Sequence, residues 1–370
     1  MKIKGCIKII LAISAAVTLF SVNINAEEIY DFGQNDISDA LPSEANEILD
    51  ELNATPSNGG AEITAENIFT LIWDRVKDNA PKPLAMLASV IAAVILCSVT
   101  ESLHDSGNML SGTFSTVGVL ACSGIICTSF AAVMESSKTA IEALAAFLAV
   151  YIPSFAGIMA ASGETATAAA YNATITVAVQ LIYQLFYVLI FPLSSCIMGI
   201  SIAGAINPDL KINSIAEAAK KLVNWTLGLL MAVFTGLLSV QGFVTAAADS
   251  VSIRAIKFTV SGAVPIIGGA VSDALQTVKG SMALLKSTTG SFGIIASVTV
   301  MLPVVLSAAL FRIALLISSA ISDTFGTSRL TVLLKSGESV LAIVIAVMVC
   351  FWILAIVSTA IMLAISGGTT

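Results

Sequence analysis

The sequence predicts an all-α fold: a polytopic helical membrane protein of about eight spans, with a cleaved signal peptide and a short exported N-terminal arm. Three observations carry this. Of the 370 residues, 57% are hydrophobic and only 11% are charged, where a soluble domain carries roughly a quarter. The charges are also segregated, with 13 of the 24 acidic residues falling between Glu27 and Asp78. Beyond them the chain holds charge-free runs of membrane length, because ~20 apolar helical residues cross a hydrocarbon core.

The first element is the leader. Lys2 and Lys4 precede an apolar run from Ile9 to Val22, and small Ala26 stands before Glu27 and Glu28. This is the pattern of a secretory signal, with cleavage expected after Ala26 and residues 1–26 removed. An uncleaved signal anchor is the alternative, and either form carries the following segment across the membrane.

Residues 27–82 form an acidic extracytoplasmic arm. Leu41-Pro42-Ser43 and Pro56-Ser57-Asn58-Gly59-Gly60 break regular structure. Between and after them two short amphipathic helices are expected, Ser43 to Leu52 and Ala65 to Lys77. In the second, Ile68, Leu71, Ile72 and Val76 recur at helical spacing. The arm has too little apolar material for a core of its own, so it is expected to pack on the membrane domain or on a partner.

Residues 83–370 are the polytopic domain. Charge-free runs cover residues 83–100, 106–134, 143–163, 165–208, 222–248, 287–311 and 339–370. The fourth is long enough for two passes and is divided at Pro192, which gives seven full spans and one short one. With the arm outside, eight alternating crossings put the turn carrying Lys211, Lys220 and Lys221 in the cytoplasm, together with the turn holding Arg329 and Lys335. That matches the positive-inside rule. Arg254, Lys257, Lys279 and Lys286, in the long segment 245–293, fall on the outer side and fit the rule poorly.

Within that segment, Phe258 to Ser272 is apolar but short and rich in glycine. Pro265, Gly268 and Gly269 oppose a regular helix, and irregular backbone at membrane depth needs protein or a water-filled cavity around it. Residues 258–285 therefore read as a re-entrant or interfacial element, ending in an amphipathic stretch from Ala274 to Leu285. A kinked helix lying on the membrane surface is an equal alternative.

No catalytic constellation emerges. The single histidine, His104, excludes paired-histidine metal sites and most histidine-based triads. There is no phosphate-binding glycine loop followed by Lys-Ser/Thr, no dinucleotide fingerprint and no CxxC. The chain is expected to be no enzyme and to hold no cofactor and no metal. Cys97, Cys122, Cys127, Cys196 and Cys350 lie inside apolar runs and imply no disulfide framework. Without a dense Lys/Arg patch, nucleic acid is excluded as a partner. The candidate polar residues are those inside spans, where charge is costly. Glu142 and Arg312 lie near opposite faces in this topology, so a mutual salt bridge is disfavoured and each is expected to snorkel to the headgroups. Asn172, Gln180 and Gln184 line the fourth span, for interhelical hydrogen bonding or as a polar pore face.

The stretch Ala246 to Gly293, AAADSVSIRAIKFTVSGAVPIIGGAVSDALQTVKGSMALLKSTTGSFG, resembles the most characteristic region of the stage III sporulation protein AE family. Val264-Pro265-Ile266-Ile267-Gly268 and Ser272-Asp273-Ala274 are its most distinctive parts. The resemblance adds Asp273 to Pro265, Gly268 and Gly269 as candidates, and the rest of the chain agrees in outline. It implies a membrane subunit of the secretion-like complex that links mother cell and forespore in endospore-forming bacteria. Such a subunit would reside in the mother-cell membrane around the forespore. Its partners would be other membrane and exported subunits, an ATPase and the lipid bilayer. The competing expectation is an autonomous secondary transporter with a midplane site built from the fourth span and the glycine-rich element.

Overall fold

The computed structural model describes residues 34–60, 65–102, 110–206, 217–218, 221–232, 234–236 and 268–367. Among these, every regular element is helical. The leader, His104 and the whole segment 237–267, Pro265 included, lie outside the described residues.

The arm contributes α1 (Gln34–Asp39), α2 (Ser43–Glu51) and α3 (Ala65–Asn79). The last two match the expected amphipathic helices to within two residues. Ile37, Leu41, Ala45, Leu49 and Ala54 are buried in the same apolar cluster as the long helices. The arm thus has no separate core and packs on the rest of the chain.

The remaining helices are long. They are α4 (Pro81–Ser102), α5 (Leu110–Ala161), α6 (Thr165–Leu185), a π-helical turn (Phe186–Ile190), α7 (Phe191–Ile206), α8 (Gly268–Thr324) and α9 (Ser328–Gly367). Among the described residues, five helices are long and apolar enough to cross a membrane: Pro81–Val99, Thr116–Ala161, Thr165–Ile206, Leu284–Thr324 and Ser328–Ala360. A shorter apolar helix covers Lys221–Gly236.

Three expected interruptions are absent, each for a physical reason. The runs 106–134 and 143–163, read as separate spans, belong to the single 52-residue α5. Glu135, Lys138 and Glu142 sit three and four apart, a spacing that supports a helix, and no glycine or proline occurs between Gly124 and Pro153. Pro192, read as a divider, is absorbed. It has no N–H to give and its ring crowds the carbonyl four residues back, and the chain widens into a π-turn just before it rather than breaking. The break expected between the element ending at Leu285 and the span from 287 is also missing: Gly268 to Leu285 is the regular first part of the 57-residue α8, and residues 258–267 of that element lie outside the described residues. Gly268 and Gly269 fall on its first turn, where backbone donors lack helical partners in any case.

Two hairpins result, α5 with α6–α7, and α8 with α9, and their turns use the same bonds. In the first, Gly163 (φ 91°) is the left-handed residue, and the Glu164 N–H donates to the Met159 carbonyl at 3.1 Å. In the second, Gly326 (φ 76°) plays that part, and the Thr327 N–H donates to the Ser322 carbonyl at 3.1 Å. Both are glycine-terminated helix ends of the Schellman type. The tips point to opposite ends of the bundle. Glu164 reaches Lys286 on α8, while Arg329, just past the second tip, lies 3.4 Å from Thr116 near the start of α5.

Candidate functional site

The polar residues gather at three heights along the bundle. At the first tip, Lys286 is 3% exposed and its Nζ donates to Glu164 Oε2. Around this pair, Thr289 donates through Oγ1 to the Pro56 carbonyl at 3.5 Å, and the Tyr151 hydroxyl donates to the Thr289 carbonyl at 3.5 Å. Gly59 (φ 62°) lies so close that a Cβ there would sit 2.7 Å from the Thr288 carbonyl oxygen. The arm is therefore seated on the same end as the first tip. Eight alternating crossings would place that tip on the side opposite the arm. Because α5 does not turn back at residues 135–142, the tip instead reaches the arm's end.

Below this level runs an aromatic stack on α5, with Phe147, Tyr151 and Phe155 spaced 5.3 and 5.6 Å between ring centres and Tyr171 of α6 edge-on to Phe155. The enclosed Tyr171 hydroxyl lies beside Ser358 and Thr359 of α9. Gly293 is the only kind of residue that fits against Tyr151 here, since a Cβ would come within 2.3 Å of its ring. On the same side, the Trp352 indole N–H donates to Ser297 Oγ at 3.3 Å.

At mid-height of α5, the Lys138 ammonium stands 4.8 Å from the centre of the Tyr187 ring on the π-turn. Glu135 is exposed and Glu142 half-buried on the neighbouring turns. Lower still, the Arg312 Nε donates to Glu338 Oε1 at 2.6 Å, tying α8 to α9. Arg312 is thus paired rather than snorkelling alone, and it does not meet Glu142.

Gln180 and Gln184 fall on the exposed face of α6, opposite the buried stripe of Thr167, Ala168, Tyr171, Ile175, Val179 and Ile182. Among the described residues they line no interior path, and the polar pore face of the transporter reading finds no support there. Asn172 accepts from Thr176 Oγ1 at 3.4 Å within its own helix. Gly268, Gly269 and Asp273 lie on the first turns of α8, and Pro265 is outside the described residues. The Lys286–Glu164 pair was missed in the sequence, where Lys286 counted only as a misplaced loop cation. A lone lysine next to a long apolar run was the available signal.

Among the described residues no three of His, Cys, Asp and Glu come together as metal ligands would. Comparison with known proteins adds the following. The family model described as Stage III sporulation protein AE matches residues 47–366. The Stage III sporulation protein AE of Bacillus subtilis (strain 168) is 23% identical over 229 residues, covering 61% of this chain and 56% of that protein. The chain thus aligns with little more than half the length of that relative. No solved structure matches.

Proposed function

Because the chain belongs to the stage III sporulation protein AE family, we propose that it is a non-enzymatic membrane subunit of the secretion-like channel complex joining mother cell and forespore. It would reside in the mother-cell membrane around the forespore, with its arm on the extracytoplasmic side, beside other membrane and exported subunits and a separate ATPase. The observation that carries this reading is the family match across nearly all of the helical domain. The bundle's chemistry supports it. Among the described residues its paired polar groups tie helices to one another, as Lys286 ties to Glu164 and Arg312 to Glu338, and they do not converge around a substrate-sized cavity. Such a protein works by position and by assembly.

The test is copurification. A tagged full-length chain, extracted in mild detergent from sporulating cells, should bring down the ATPase and exported subunits of the complex, and cells lacking the gene should fail to complete spores. Normal spores from the deletion strain, with the chain purifying alone, would end the proposal.

A further inference from the structure

The helices are too long for one membrane. At 1.5 Å per residue, the 52 residues of α5 rise about 78 Å, while a hydrocarbon core is ~30 Å thick. Only part of the bundle can be in lipid, and the surface shows which part.

Heights along the bundle can be matched between helices. Met86 of α4, Ile126 of α5, Phe311 of α8 and Leu341 of α9 border one crevice, and Gly337 faces both Ile126 and Met198 of α7. On α5, Thr116 with Arg329 marks one end of this zone, and Lys138 with Tyr187 marks the other. Residues 116 to 138 rise about 33 Å, one hydrocarbon thickness. In this zone large apolar side chains face outward, with Leu96 67% exposed, Val188 69% and Leu316 53%, joined by Val99, Leu120, Leu189 and Ile317, and the exposed positions between them on α5 are small, as at Ala121, Gly124 and Ala131. The Arg312–Glu338 pair inside it carries no net charge, the form in which ionised groups persist there. Its borders carry what interfaces carry, with Lys82, Glu135, Lys138 and Tyr187 on one side and Asp323, Arg329 and Lys335 on the other.

Above Lys138 the surface changes. The exposed positions of α5 and α6 become largely small or polar, with Ala146, Ala149, Thr165, Ala169, Ala173, Thr176 and Gln180; Val177 and Leu181 on α6, each 42% exposed, and Leu284 and Ile353 on α8 and α9 are the large apolar exceptions. An independent observation comes from α3. It connects the arm, seated on Thr288 and Thr289, to α4, and it packs on α8. Its outer face holds Asn67, Thr70, Asp74, Lys77 and Asp78, all exposed, around an exposed Trp73 that Lys77 covers at 5.6 Å, with Lys77 and Asp74 paired at 3.3 Å. A helix with that face cannot lie in hydrocarbon.

We propose that the bilayer grips only the half of the bundle remote from the arm, between the levels of Arg329 and Lys138, and that the arm-end half stands about 35 Å out of it in water. The lipid-facing surface is then the belt of Leu96, Leu120, Val188 and Leu316, with Lys138 and Tyr187 at the headgroups. Each double-length apolar run becomes one crossing and one projecting segment. Counting charge-free runs therefore overstates the crossings.

The test uses the full-length chain in lipid nanodiscs, with native cysteines replaced and single cysteines carrying a small fluorophore at Leu96 and Leu316, or at Ala149 and Ala173. Brominated lipid acyl chains quench only probes in contact with hydrocarbon. Strong quenching at the first pair and none at the second is expected. Native Cys196, exposed on α7 within the belt, supplies a lipid-facing position that needs no substitution at the probe site and should be quenched as well. Equal quenching at Ala149 and Ala173, or none at Leu96, Leu316 and Cys196, would overturn the proposal.

Discussion

Lys286 and Glu164, 122 positions apart, form an ion pair in which the lysine is almost wholly enclosed. It joins the tip of one hairpin to the first helix of the other, and it sits beside the seat of the arm.

Removing one partner of such a pair costs more than removing both, because the survivor stays charged after losing its counter-ion. Glu164→Gln should destabilise the protein by about 3 kcal/mol, and Glu164→Gln with Lys286→Met should restore most of that. Thermal unfolding of the two variants in detergent checks this. Equal losses in both would show that the pairing contributes little.

The arm's seat depends on Gly59. A side chain there meets both a left-handed φ of 62° and the Thr288 backbone at 2.7 Å, so Gly59→Ala should loosen the arm by about 1–3 kcal/mol. Limited proteolysis should then cut near residues 53–60 many times faster. Gly124→Ala, with open space around its Cβ, should cleave like the parent and serves as the control.

Between the hairpins, Gly293→Ala forces a methyl group into the Tyr151 ring. Overpacking of this kind costs about 1–3 kcal/mol. Gly293→Ala combined with Tyr151→Leu should recover part of the loss, which a double-mutant cycle in thermal unfolding would measure.

Arg312 and Glu338 pair within the lipid belt, where a lone ionised group costs several kcal/mol, so their coupling should exceed the roughly 1 kcal/mol of a pair exposed to water. Arg312→Lys loses the planar donor geometry and should forfeit much of it. A cycle using Arg312→Gln and Glu338→Gln isolates the coupling, and a value near zero would mean that the contact only happens to be close.

Gly268 and Gly269 lie on the first turn of a regular helix, so Gly268→Ala with Gly269→Ala should leave stability and spore yield near the parent level. A loss of spores with a normal amount of protein in the membrane would show a demand for glycine that the helix itself does not make.

The arm was the most legible part of the sequence. The apolar spacing of Ile68, Ile72 and Val76 and the break at Pro42-Ser43 marked α2 and α3 almost residue by residue, since both signals are local. The continuity of α5 was hidden because charge-based span counting treats Glu135, Lys138 and Glu142 as an end, whereas the backbone tolerates them in mid-helix. Pro192 misled in the same way, because a π-turn can accommodate it without ending the helix. The partners of Arg312 and Lys286 lie 26 and 122 residues away, and no local pattern records such distances.

The uninterrupted course of α5 also has a mechanical meaning. A helix about 78 Å long, continuous through Pro153 and held near its middle where Lys138 meets Tyr187, is a lever. A tilt of about five degrees would carry each tip roughly 3 Å, about the length of a hydrogen bond. A push on the end near Thr116 would therefore be felt as a displacement at Glu164, far from where it was applied.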